Sequence, residues 1–124
     1  MEKVLLIQND SDILEREQKI LSSMYDVTIC NSGSEALNVA KNENFDCFVI
    51  DLKIGDVTGI CLYQELLDLY SKPIVLIIEH ASEILTMRKL NLKARYFAKE
   101  PFASLVLLNE VNMSIKKYKE NIKL

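Results

Sequence analysis

Several features are scarce in this chain, and each absence narrows what it can do. No apolar stretch approaches the ~20 residues that cross a bilayer. Met1-Glu2-Lys3 leads into a short apolar run, Val4 to Ile7, which polar residues then stop, so no signal peptide is read. A soluble, cytoplasmic protein without membrane attachment is the expectation. Neither a GxGxxG pattern nor a P-loop occurs, which removes the common glycine-rich phosphate cradles. No charge of one sign dominates: 15 Lys and Arg against 18 Asp and Glu give a net charge of −3, with no global footprint for nucleic acid. Histidine occurs once, as His80. The three cysteines, Cys30, Cys47 and Cys61, are odd in number and unclustered, and all three read as buried, reduced thiols.

What is present is the material of one domain, spanning 1–124. Apolar residues make up 49% of the chain and charged residues 27%, ordinary values for a globular protein able to build a core without metal or disulfide staples. Five short apolar runs recur: Val4–Ile7, Tyr25–Cys30, Phe45–Ile50, Ile74–Ile78 and Ala94–Ala98. The first, third and fourth are nearly continuous, as strands buried on both faces should be, and the mixed last run suits a sheet edge. Amphipathic segments alternate with them. Asp10 or Ser11 can cap a helix carrying Ile13, Leu14, Ile20, Leu21 and Met24 on one side. Ser32-Gly33-Ser34-Glu35 fits a capping box ahead of Ala36, Leu37 and Ala40. Gly59 opens a segment with Leu62, Leu66, Leu67 and Tyr70; Ser82 precedes a weaker one with Ile84, Leu85 and Leu90. After Pro101-Phe102, Leu105, Leu108, Val111, Ile115 and Tyr118 fall at helical spacing. Such alternation predicts a doubly wound α/β domain with a five-stranded parallel sheet and helices on both faces.

The segment with the most chemistry is Phe45 to Leu62, FDCFVIDLKIGDVTGICL. Asp51 ends its apolar run, and the C-terminal end of a buried parallel strand is where open α/β sheets place their ligand crevice. This segment resembles the phosphoacceptor strand and loop of response-regulator receiver domains. Tyr25 to Leu37 (YDVTICNSGSEAL), Pro73 to Ile78 (PIVLII) and Ala94 to Phe102 (ARYFAKEPF) are similar to other stretches of that family, so the resemblance covers nearly the whole chain. It implies the flavodoxin-like, CheY-like (βα)5 fold with strand order 2-1-3-4-5. It also implies a role in two-component or phosphorelay signalling rather than an enzyme of metabolism.

The resemblance further implies a five-part site. A working receiver has two acidic residues after the first strand, the acceptor aspartate, a Thr or Ser after the fourth strand, and a Lys before a proline after the fifth. Mg²⁺ held by the carboxylates neutralises charge on the transferring phosphoryl group, while hydroxyl and lysine bind its oxygens. Here Asp51 takes the acceptor position. The acidic pair falls on Gln8 and Asn9, the hydroxyl on Ile78, and the lysine on Glu100 before Pro101. At about 4 Å and an effective dielectric near 20, one unit-charge contact is worth on the order of 4 kcal/mol before screening, so reversing its sign at Glu100 opposes a phosphoryl group.

Substitutes for the lost groups lie close by in sequence. Asn9, Asp10, Asp51 and the backbone carbonyl of Lys53 are the candidate ligands for a weakened Mg²⁺ site; alternatively Asp10 and Asp12 serve the first helix as cap and dipole partners. Lys99 sits one residue before the lysine position and, by strand alternation, should face away from the site. His80 reads as an exposed loop histidine. Lys116, Lys117, Lys119 and Lys123 read as a solvated end of the last helix. The resemblance places a signalling surface on the fourth expected helix, fifth strand and last helix, with Met87, Arg88, Tyr96 and Phe97 its foremost candidates.

Two functions compete. One is a divergent receiver acting as a protein-interaction module with impaired or atypical phosphorylation at Asp51. The other is a conventional Mg²⁺-dependent acceptor phosphorylated by a histidine kinase. The partners expected are a histidine kinase, an output domain or signalling partner, and a second copy docked through the surface above. A flavodoxin-like nucleotide binder is disfavoured, because Asp10 and Asp12 in the first strand–helix turn repel phosphate.

Overall fold

A computed structural model of the chain describes residues 1–51, 59–78, 95–98 and 104–122. The described strands are β1 (Lys3–Ile7), β2 (Asp26–Cys30), β3 (Cys47–Asp51), β4 (Ile74–Ile78) and β5 (Arg95–Ala98). The helices are α1 (Ser11–Ser22), α2 (Gly33–Asn42), α3 (Gly59–Tyr70) and a C-terminal helix, Ser104–Ile122. All strand pairings are parallel, in the order β2-β1-β3-β4-β5. The expected helix around Ser82 to Leu90 lies outside the described residues, as do His80, Met87, Arg88, Lys99, Glu100 and Lys53.

Residues of successive parity split between two core layers, as the pleat requires. Val4 and Leu6 of β1, Val49 of β3 and Ile77 of β4 pack with Leu21 of α1 and with Leu107, Val111 and Ile115 of the C-terminal helix. Leu5, Ile7, Phe48, Ile50, Leu76 and Ile78 pack instead against Ala36 and Ala40 of α2 and Leu62, Tyr63 and Leu66 of α3. β3 and β4 are buried along their full length, which is why their sequences carry unbroken apolar runs.

The helix starts follow the capping chemistry. Asp10, in extended conformation, accepts from the amides of Asp12 and Ile13 and so caps α1. Ser32 caps α2 through the Glu35 amide at 3.2 Å, but the return contact of the capping box shifts: Glu35 accepts from the amide of Asn31, at 3.4 Å, one residue before the cap.

Three burial expectations fail, two for a reason of helical phase and one because the helix ends early. Cys61 is exposed, because α3 buries Gly59, Leu62, Tyr63 and Leu66 and turns position 61 outward. On the C-terminal helix the inward stripe is Leu107, Val111, Ser114 and Ile115, and Leu105 is 76% exposed. Met24 falls beyond the end of α1 and is also exposed, while the middle of the inward face of α1 is taken by a charged residue, Glu17.

Candidate functional site

The site is built at the C-terminal edge of β1 and β3. Ile7 is in register with Ile50, and parallel pairing to β2 continues one residue further through a bond from the Gln8 amide to the Cys30 carbonyl at 3.1 Å. Continuing the same register sets Gln8 beside Asp51. Both lie on the parity of Val4, Leu6 and Val49, so both side chains project toward α1 and the C-terminal helix.

There the Gln8 amide is gripped from both ends. Its Oε1 accepts from the Asp10 backbone amide at 3.1 Å, and its Nε2 donates to Asp51 Oδ2 at 2.6 Å. The same Nε2 lies 3.5 Å from Glu17 Oε1, the outer limit of a hydrogen bond. Gln8, Glu17 and Asp51 are 0%, 1% and 2% exposed. Two carboxylates thus converge on one neutral amide in a buried cluster. Because the oxygen end of Gln8 answers an N–H, the NH₂ end necessarily faces the carboxylates.

The candidate residues separate. Gln8 and Asp51 meet directly. Asp10 joins them only through its backbone amide, since its carboxylate is bound to the start of α1. Asn9 and Asp12 are exposed. Ile78 is fully buried in the layer with Ile7, Ile50 and Leu62, and the β4 register partner of Asp51 is its neighbour Ile77. Tyr96 and Phe97 lie on β5, paired to Leu76 and Ile77.

Glu17 is the site residue that the sequence reading overlooked. Its signal was available: it falls three and four residues from Ile13 and Leu14 on one side and from Ile20 and Leu21 on the other, a charge inside the apolar stripe of α1.

A divalent cation is the cofactor this geometry has to be measured against. Mg²⁺ demands a near-ideal octahedron of oxygen ligands. Here an N–H donor occupies Asp51 Oδ2, and the Asp10 carboxylate is committed to capping. Among the described residues no group of three or more His, Cys, Asp or Glu side chains is placed to hold a metal ion. Among the described residues, these side chains do not converge as an oxygen shell for Mg²⁺.

A parallel α/β sheet in the order 2-1-3-4-5 defines the flavodoxin-like class of fold to which CheY-like domains belong, and comparison with solved structures agrees. A CheY-like receiver domain protein from Methanospirillum hungatei JF-1 superposes with a TM-score of 0.86 at 23% identity, over 98% of both chains. A receiver domain protein from Clostridium thermocellum gives 0.85 at 19% identity, over 96% of this chain and 98% of the other. The chain belongs to the response regulator receiver domain family, whose model matches residues 4–112. Among curated proteins it is similar to the regulatory protein VanR of Enterococcus faecium, 22% identical over 120 residues. That match covers 96% of this chain but 52% of VanR, so the chain spans about half the length of that relative.

Proposed function

We propose that this receiver domain of two-component signalling works as a protein-interaction module in which Asp51 serves as a fixed hydrogen-bond acceptor instead of a rapidly phosphorylated one. The observation that carries this reading is the 2.6 Å bond from Gln8 Nε2 to Asp51 Oδ2 inside a buried cluster. An attacking carboxylate oxygen must reach phosphorus, and the transferring group needs cationic neutralisation. Gln8 satisfies Asp51 with a neutral donor and brings no positive charge, while Glu17 adds a second carboxylate beside it. Ile78 offers no hydroxyl, and Glu100 supplies the wrong sign of charge at the lysine position.

The same reading extends to the rest of the protein. The 124 residues form one (βα)5 receiver-like unit. Its partners are a histidine kinase, an output domain or another signalling protein in the cytoplasm, met through a surface that includes Met87, Arg88, Tyr96 and Phe97. A second copy of the chain uses that surface too. Nucleic acid is not bound directly, and the domain is not an enzyme. Among the described residues no helix is long and apolar enough to cross a membrane.

Incubation with Mg²⁺ and a small-molecule acyl-phosphate donor, followed by intact-mass measurement, tests the proposal. Unmodified protein is the expected result. A stoichiometric phosphoryl adduct that vanishes in Asp51→Ala would establish the conventional acceptor function in its place.

A further inference from the structure

The edge of the sheet opposite Asp51 holds a second crevice. It has a volume of about 470 Å³ and lies between the C-terminal end of α3, the start of β4 and the last turns of the C-terminal helix. This is within the size range of small-molecule sites.

Its lining combines an apolar floor with a polar, one-signed rim. Leu67, Pro73 and Ile74 form the floor. Lys72 and Lys117 stand at the rim, and none of the described lining residues is acidic. The Lys72 ammonium sits 5.3 Å from the centroid of the Tyr118 ring, tying the α3–β4 turn to the C-terminal helix. Tyr63, from α3, contributes a second aromatic ring to the lining.

An independent observation at the crevice wall is an unpaired polar group. Ser114 is 6% exposed and also lines the crevice, yet among the described residues its hydroxyl has no hydrogen-bond partner. A serine on a helix ordinarily satisfies itself on a carbonyl of the preceding turn. Leaving a buried hydroxyl unbonded is costly, and a ligand acceptor removes that cost.

We propose that this crevice binds a small aromatic carboxylate. Its ring lies on the apolar floor between Tyr63 and Tyr118. Its carboxylate accepts from the Ser114 hydroxyl and is neutralised by Lys72 and Lys117. The crevice shares no residue with the Asp51 cluster, so its binding is independent of phosphorylation there.

Titration of ¹⁵N-labelled protein with benzoate, using benzamide as the uncharged isostere, tests it. Benzoate is expected to give saturable shifts at the amides of Ser71, Lys72 and Ser114 to Tyr118, with benzamide binding far more weakly. Lys117→Ala should weaken benzoate roughly tenfold, the effect of losing one charge-assisted contact. Ser114→Ala should raise the melting temperature of the free protein while weakening benzoate, and that loss of affinity is the readout a merely structural role would not move. No saturable shift at these amides at millimolar benzoate overturns the proposal. So do equal responses to benzamide, or an affinity that neither variant changes.

Discussion

Gln8 and Asp51, 43 residues apart in the chain, are joined by a buried Nε2–H···Oδ2 hydrogen bond of 2.6 Å. The contact exists because parallel register between β1 and β3 carries on one residue past Ile7 and Ile50. It gives Asp51, at the end of the middle strand of a receiver fold, a neutral amide for a partner. Its consequences for stability and for metal binding are measurable separately.

Gln8→Leu keeps the bulk and removes the donor. Asp51 and Glu17 then lose this amide in a buried setting, at a cost of about 1–3 kcal/mol. Urea unfolding reads the loss directly. A double-mutant cycle with Asp51→Ala should return a coupling energy of roughly 0.5–3 kcal/mol, whereas additive effects would show that the bond contributes nothing.

Restoring the acidic pair should restore a metal response. The double variant Gln8→Asp, Asn9→Asp places new carboxylates next to Asp51 and Glu17, so its melting temperature in EDTA should fall below that of the parent protein. Saturating Mg²⁺ should recover it, since binding to the folded state at a hundredfold excess over Kd adds about 2.7 kcal/mol. The parent protein should show no Mg²⁺-dependent shift.

Asp10 acts on α1 as a cap, and a change there should have the signature of a cap. Asp10→Ala should cost about 1 kcal/mol in thermal or urea unfolding, and Asp10→Asn should retain most of that stability because its side-chain oxygen can still accept from the helix amides. A loss equally large in both variants would assign the carboxylate a role that depends on its charge.

The thiols should react in order of exposure. Iodoacetamide should modify Cys61 in the native protein, and all three cysteines only in denaturant. Burial, aided by the charges of Glu35 and Glu43, pushes the Cys30 thiol up from 9.0 to about 11, and burial pushes Cys47 higher still. The folded state therefore holds the Cys30 proton more tightly than the unfolded chain does. Its contribution to stability is complete below pH 9 and is lost as pH rises toward 11. Cys30→Ala should flatten that part of a stability–pH curve.

On the C-terminal helix, Leu107→Ala should cost about 2–5 kcal/mol, the usual range for a buried leucine. Leu105→Ala should stay within about 0.5 kcal/mol, as exposed positions do. Reversal of the two would put the helix in the wrong rotational phase.

That last pair shows where sequence reading stops. Leu105, Leu108, Val111, Ile115 and Tyr118 satisfy helical spacing, and so do Leu107, Val111, Ser114 and Ile115. Choosing between stripes a fraction of a turn apart takes knowledge of the surface the helix docks on. The strands were more legible. Ile74–Ile78 and the opening of α3 at Gly59 fall where the sequence places them, because an unbroken apolar run and a glycine are local signals. Cys61 and Glu17 were misjudged or passed over for one shared reason: helical phase, not residue type, decides which of them faces the core.

The sequence by itself determined the alternation of strands and helices among the described residues, the position of Asp51 at a strand end, and the presence of Gln8, Asn9, Ile78 and Glu100. Those properties are written in residue type and short-range order. Tertiary structure alone decided that Gln8 binds Asp51, and that Glu17 lies against the same amide. Both facts depend on strand register and helix docking between segments distant in the chain, where a shift of one residue would turn each side chain to the opposite face.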